Sequence, residues 1–127
     1  MLNISFGFSK SRSSFLLNEN KFLSVIDLKL YSGKSSNSLS RIKGRLIGHN
    51  GKARKVLEEL TNASISVYGH YVAIIGTTEQ ITLAEDAINI LASGGAHKTA
   101  YNLLQRRRTK AKLERFKLWE DFPFVEN

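Results

Sequence analysis

The sequence predicts an α+β fold, a three-stranded antiparallel sheet with three helices packed on one face and a basic helical extension at the C-terminus. Three observations carry that reading. Residues 63–68 (ASISVY) alternate apolar and polar, and 71–75 (YVAII) return after Gly69-His70, which is the pattern of a hairpin. Ile81, Ala84, Ile88 and Leu91 recur at helical spacing, as do Val56, Leu57 and Leu60. The chain has 127 residues with a 42% apolar share, which suits one domain of about 100–200 residues with its own core.

Taken in order, residues 1–20 are serine-rich and acid-free until Glu19, and are read as a lead-in segment with a loose strand or short helix around Ser13–Leu17. That composition also resembles a transit peptide; a secretory signal fits less well, because Ser, Lys and Arg break the apolar stretch. The main domain is assigned to residues 21–95. Phe22–Tyr31 (FLSVIDLKLY) is β-branched and aromatic, so it reads as the first strand, and Ser32–Ser38 (SGKSSNS) as a loop. A short helix over Arg41–Leu46, capped by Ser38 or Ser40, is broken by Gly48-His49-Asn50-Gly51. A second helix covers Lys52–Leu60 and ends near Asn62, a residue that tolerates left-handed dihedrals. After the hairpin, Thr77 with Gln80 three residues on forms a capping box, and the helix it opens stops at Gly94-Gly95. Residues 96–127 are assigned to a basic helix from about Thr99 to Trp119 and an aromatic tail. Tyr101, Leu104, Arg108, Ala111 and Arg115 make only a partly apolar stripe there, so the helix reads as an appendage and not as a core element.

Charge gives the first functional clue. The net charge is +8, and it is concentrated in two blocks: residues 41–60 carry six basic and two acidic side chains, and 96–118 carry eight and one. Between them, 61–95 carry no basic residue at all. Two cationic blocks around a basic-free stretch suit a polyanion better than a generally solvated surface. No cysteine is present, which excludes disulfides, thiolate zinc ligation and a cysteine nucleophile. The longest purely apolar runs are a few residues, so no bilayer-spanning helix and no membrane partner is expected.

The central feature is two helices meeting at Gly-x-x-Gly. Arg41, Lys43 and Arg45 precede the turn, and Lys52, Arg54 and Lys55 follow it. Glycines admit positive φ and leave no Cβ between backbone and ligand, and a helix N-terminus offers unpaired N–H donors to phosphate. Such a turn can hold a sugar–phosphate backbone while bases lie over neighbouring apolar residues, here Ile47, Val56 and Ile65. A nucleotide-binding P-loop is excluded, because Leu46 and Ala53 stand where that motif needs glycine and a metal-binding hydroxyl. A helix-turn-helix fits the basic second helix, but the flanking strands argue against it.

Ile47-Gly48-His49-Asn50-Gly51-Lys52, followed by Leu57-Glu58-Glu59-Leu60-Thr61-Asn62-Ala63-Ser64-Ile65-Ser66-Val67, resembles a KH domain of the eukaryotic and archaeal (type I) topology. The segments 41–48, 67–76 and 95–101 are similar to archaeal KH-domain RNA-processing proteins, relatives of eukaryotic assembly factors acting on small-subunit pre-ribosomal RNA. The likeness covers roughly residues 7–117. It implies a clamp on about four nucleotides of single strand, with Gly48, His49, Asn50 and Gly51 as the clamp and Arg45, Lys52 and Arg54 around it. It further implies binding to small-subunit rRNA near its 3′ end, a PIN-domain endonuclease at work alongside, and contact with the alpha subunit of initiation factor two. The relatives usually carry two tandem KH domains, and this chain has room for one; its loop also lacks the basic residue often found there. The implied location is the cytoplasm of an archaeal or prokaryote-like cell, or the nucleolus of a eukaryotic one.

Among other candidates, His49 at the loop tip can stack on a base or, when charged, pair with phosphate. His70 and His97 read as structural or solvated, and the three histidines lack metal-ligand spacing. Adjacent Glu58 and Glu59 point apart on a helix and read as a solvated outer face. Arg106, Arg107 and Arg108 are assigned to RNA or an acidic partner, and Trp119, Phe122 and Phe124 to packing on the domain or protein docking. With no nucleophile–base pair and no metal cluster, the expected function is non-catalytic and cofactor-free single-stranded RNA binding. The alternative is a scaffold that recruits a nuclease or translation factor through the basic helix.

Overall fold

A computed structural model describes residues 21–121, with the side chains of 119–121 left aside. The expectations for the lead-in segment, the aromatic tail and the Trp119 side chain lie outside the described residues. The elements run β1 (Phe22–Asp27), α1 (Lys29–Ser32), α2 (Ser36–Ile47), a 3-10 turn (His49–Gly51), α3 (Lys52–Thr61), β2 (Ser64–Tyr68), β3 (Tyr71–Gly76), α4 (Thr78–Ala92) and α5 (His97–Asp121). The sheet is antiparallel throughout with the order β1-β3-β2, so the last strand lies between the other two. Val72 and Ile74 of β3 and Ile65 of β2 turn one face of the sheet toward the helices, where they meet Leu46, Leu57, Ala84, Ile88 and Leu91 in one core. The α+β fold expected from the sequence is the fold observed.

Two boundaries differ from expectation. The first strand stops at Asp27, not Tyr31, because Asp27 turns the chain out of the sheet. Its carboxylate accepts from the Lys29 N–H at 2.9 Å and meets His70 Nδ1 at 2.7 Å, while the Leu28 N–H donates to the His70 carbonyl. A one-turn helix follows, and the Tyr31 hydroxyl reaches Asn89 on α4 at 2.6 Å. The second difference is the start of α2. Its cap is Ser35, whose Oγ accepts from the Ser38 N–H, so the helix begins five residues before the expected Arg41. Four serines between 35 and 40 can each serve as a cap; Ser35 is the one used, and Leu39, four residues on, packs against the core.

The helix expected as an appendage is two things in series. Its first two turns belong to the core, where Ala100 (0% exposed) and Leu104 (1%) pack with α3 and α4. From Gln105 to Leu118 every residue is exposed, which is the extension the sequence predicts. Among the described residues no helix is long and apolar enough to cross a membrane.

Candidate nucleic-acid interface

The turn between α2 and α3 is built by backbone geometry. Gly48 has φ 76° and ψ 177°, Asn50 φ 55° and Gly51 φ 74°, so three of four residues sit at positive φ. Gly48 also admits no side chain: a Cβ there would come within 2.6 Å of Ala53 Cβ and 2.7 Å of Ala53 N. Ala53, buried as the second residue of α3, thus packs directly on the Gly48 main chain. The turn closes on itself through the Gly51 N–H to the Gly48 carbonyl at 3.2 Å, and no side chain caps α3. His49 and Asn50 stand exposed at the tip; on the flanking helices Arg41, Lys52 and Lys55 are exposed and Lys43 is half-exposed. Open backbone, a helix N-terminus and cations on both flanks give a surface that takes an anionic chain.

Several expected contributors are placed otherwise. Arg45 is drawn away from the turn: its Nε donates to the Leu91 carbonyl at 3.1 Å and its Nη2 to the Gly95 carbonyl, closing the end of α4. The Arg45 carbonyl in turn meets His97 Nε2 at 2.8 Å, which makes His97 structural. Ile65 is 2% exposed and faces the core, so its side chain is no platform for a base; Ile47 and Val56 are half-buried beside the turn. Arg54 is half-exposed, and its Nη1 donates to the Ile65 carbonyl at 3.1 Å. Arg106, Arg107 and Arg108 lie on the exposed part of α5, away from the turn. Arg107 pairs with Asp86 of α4 at 2.8 Å, ten residues and about 15 Å along the helix from His97. The structure therefore leaves Arg41, Lys52 and Lys55 exposed and Lys43 half-exposed on the two helices that flank the turn, and the second cationic block as a separate surface.

Glu58 is the residue the sequence reading missed. Its Oε2 accepts from the Ile65 N–H at 2.8 Å and lies 3.7 Å from Arg54 Nη1. The available signal was the i,i+4 spacing of Arg54 and Glu58, which the adjacent Glu58-Glu59 pair obscured. Elsewhere, Asp27 is held below its ordinary 3.8, first by the Lys29 N–H and then by His70, and burial raises Tyr101 above its ordinary 10.0. Neither group lies at the turn. Among the described residues no group of His, Asp or Glu could hold a metal ion.

A glycine-bounded turn between two helices, on an antiparallel sheet ordered β1-β3-β2, defines the class of type I KH domains. A family model for the second KH domain of PNO1 proteins, a eukaryotic type KH-domain (KH-domain type I), matches residues 22–109. The chain belongs to this PNO1 family, and its archaeal and eukaryotic relatives are both recognisable. It is 42% identical to a KH domain-containing protein of Methanocaldococcus jannaschii over 114 residues, 90% of this chain and 50% of that one. It is 35% identical to the pre-rRNA-processing protein PNO1 of Chaetomium thermophilum over 69 residues, 54% of this chain and 27% of that one. A chain of the a/eIF2alpha–aDim2p–rRNA complex of Pyrococcus horikoshii superposes with a TM-score of 0.75 at 43% identity, covering 82% of this chain and 56% of that one. The chain thus spans half or less of the length of these two sequence relatives. RNA binding and rRNA processing are the business of the family at large.

Proposed function

We propose that this chain is a non-catalytic module that holds single-stranded RNA, with the main chain of Gly48–Gly51 gripping the sugar–phosphate backbone. The observation that carries the reading is the turn itself, where side-chain-free backbone meets an uncapped helix N-terminus, with Arg41, Lys52 and Lys55 exposed on the two helices that flank it. Its target is small-subunit ribosomal RNA, toward the 3′ end, during subunit maturation. Likeness to a chain crystallised with rRNA and an initiation-factor alpha subunit supports this target, and supports the alpha subunit as a partner. A PIN-domain nuclease acting on the same RNA completes the proposal, with the chain in the cytoplasm of an archaeal-like cell or in a nucleolus.

The turn also dictates the test. Substituting Gly48 would drive a Cβ into Ala53, so loss of binding there would confound fold with function. The double variant His49→Asp with Asn50→Asp instead places two carboxylates at the exposed tip. Its affinity for a single-stranded oligoribonucleotide, followed by fluorescence anisotropy, should fall at least about tenfold with the melting temperature unchanged. Unchanged affinity would remove the turn from the interface. Phosphate contact also predicts that log affinity falls linearly with log salt, by roughly 0.7 per phosphate neutralised on a single strand.

One observation favours a second reading for part of the chain. Leu113, Phe116 and Leu118 are more than half exposed on the basic part of α5, which suits a protein-docking helix that recruits a nuclease or translation factor. Binding of such a partner that survives both high salt and the tip variant would assign that role to α5.

A further inference from the structure

Three helix ends meet at Arg45, shortly before Gly48 in the chain: the C-terminal end of α2, the C-terminal end of α4 and the first residue of α5. The contacts run in both directions. Arg45 Nε donates to the Leu91 carbonyl at 3.1 Å and its Nη2 to the Gly95 carbonyl, so the guanidinium sits at the negative end of the α4 dipole. In return, His97 Nε2 meets the Arg45 carbonyl at 2.8 Å; a carbonyl only accepts, so this nitrogen carries the hydrogen. Both partners are held in place. The Gly48 N–H closes on the Gly44 carbonyl at 2.8 Å, and the chain then leaves α2 at φ 76° and ψ 177°, so the Arg45 carbonyl takes its donor from α5. On the other side, the Gly95 N–H donates to the Ile90 carbonyl at 2.8 Å, and a Cβ on Gly95 would come within 2.5 Å of Ile90 Cγ2. The acceptor offered to Arg45 is thus pressed onto α4, and Ala100 and Leu104 fix the start of α5 in the core.

We propose that Arg45 and His97 are positioning residues of the RNA clamp, which bolt the exit of α2 to the α4–α5 junction and hold the turn in its binding shape before RNA arrives. The inference rests on the RNA-clamp reading above and adds what keeps that clamp ready. Asn50 sits at φ 55°, a conformation its short polar side chain tolerates but that persists only where the flanking structure enforces it. Downstream, that support comes from Ala53 packed on the Gly48 main chain and from Leu57 in the core. Upstream, Leu46 seats α2 on the core, and the Arg45–His97 contacts fix its last turn. With that exit loosened, only a fraction of molecules would present the turn in its binding shape, and the apparent dissociation constant rises in inverse proportion to the fraction. Arg45 therefore raises RNA affinity without touching RNA, because its guanidinium is engaged by two carbonyls of the fold. His97, remote from the turn in sequence, acts on the same helix end from the other side.

The test measures the affinity of the full chain for a short single-stranded oligoribonucleotide of mixed sequence, by anisotropy over a salt series, with the melting temperature followed alongside. Arg45→Lys keeps the charge but replaces the guanidinium fork with a single ammonium, and Arg45→Met removes both. Each should bind roughly three- to tenfold more weakly, with the slope of log affinity against log salt unchanged. His97→Ala should weaken binding by a similar factor, and His97→Gln, whose amide keeps a donor for the Arg45 carbonyl, should recover most of it. A direct phosphate contact predicts otherwise: Arg45→Lys would bind as the native chain does, and Arg45→Met would flatten the slope by about 0.7. Either result overturns the proposal. So does a His97→Ala chain that melts lower yet binds RNA with native affinity, since the contact would then serve stability alone. If the Arg45 variants fail to fold, the two His97 variants carry the test. Hydrogen exchange of the free protein gives a second readout: the Gly48 and Gly51 amides should exchange faster in His97→Ala and return toward native in His97→Gln. Unchanged exchange in His97→Ala also overturns it. The tip variant separates the two levels. If His49→Asp with Asn50→Asp abolishes binding while His97→Ala binds normally, the clamp stands and the positioning role fails; if the tip variant binds normally, the clamp fails and takes the positioning role with it.

Discussion

The dipeptide Gly-His occurs at 48–49 and again at 69–70, and the two copies serve unlike ends. Both glycines have positive φ, 76° and 59°, and both histidines follow at a turn. At 69–70 the histidine is tied down: His70 Nδ1 meets the Asp27 carboxylate at 2.7 Å, its ring packs at a tilt of 37° against Tyr71 with centroids 4.1 Å apart, and its carbonyl receives the Leu28 N–H. At 48–49 the neighbours are cations, and the ring stands at an exposed tip. The glycines differ as well. Nothing lies within 4 Å of a Cβ at Gly69, whereas at Gly48 the Ala53 backbone and side chain already fill the space. One turn is held by its side chains and closes a hairpin. The other is held by its main chain, so its tip side chains are spare. A turn becomes a binding surface when its own fold does not consume its polar groups.

That contrast can be broken in four ways. The largest expected effect is from Gly48→Ala, which combines a backbone region reserved for glycine with overlap on Ala53 and should cost roughly 2–4 kcal/mol in urea unfolding. The tip pair His49→Asp with Asn50→Asp comes next, at about 1.4 kcal/mol or more of binding free energy and no measurable loss of stability. Gly69→Ala has only the left-handed backbone to contend with, and should cost roughly 1 kcal/mol of stability while leaving RNA affinity as it was. The smallest effect sharpens the role of the carboxylate. Because Asp27 titrates below its ordinary 3.8 in the folded chain, it stabilises the fold above that value and stops doing so as pH falls through its lowered one. Asp27→Asn should therefore lower the urea midpoint at pH 7, and the difference from native should shrink as the pH drops below 3.8. A gap that widened in acid would show that the Asp27–His70 contact is not what locks the hairpin.

Much of this was legible residue by residue. The Thr77–Gln80 capping box is present in both directions, Asn62 ends α3 in the left-handed conformation, and Ile81, Ala84, Ile88 and Leu91 are all buried. The two caps depend on contacts within a few residues, and the buried stripe on a helical repeat that the sequence itself carries, which is why a linear pattern reveals them. The errors share the opposite character. Arg45 reads as a cation at the turn until α4 and Gly95, some fifty residues on, present it with carbonyls. Ile65 reads as a surface for bases until the strand order places it over the core. The exposed run from Gln105 to Leu118 hides the fact that the first turns of α5 carry Ala100 and Leu104 into the interior.

The sequence by itself determined the turn and its charge: two glycines three apart, a polar tip, and cations before and after, all properties of adjacent residues. Tertiary structure decided which cations are drawn onto the fold's own backbone and which stay at the surface. A guanidinium or carboxylate goes wherever a backbone group with hydrogen-bonding capacity to spare is offered, and those groups at Ile65, Leu91 and Gly95 come within reach only once β2 becomes an edge and α4 ends beside α2.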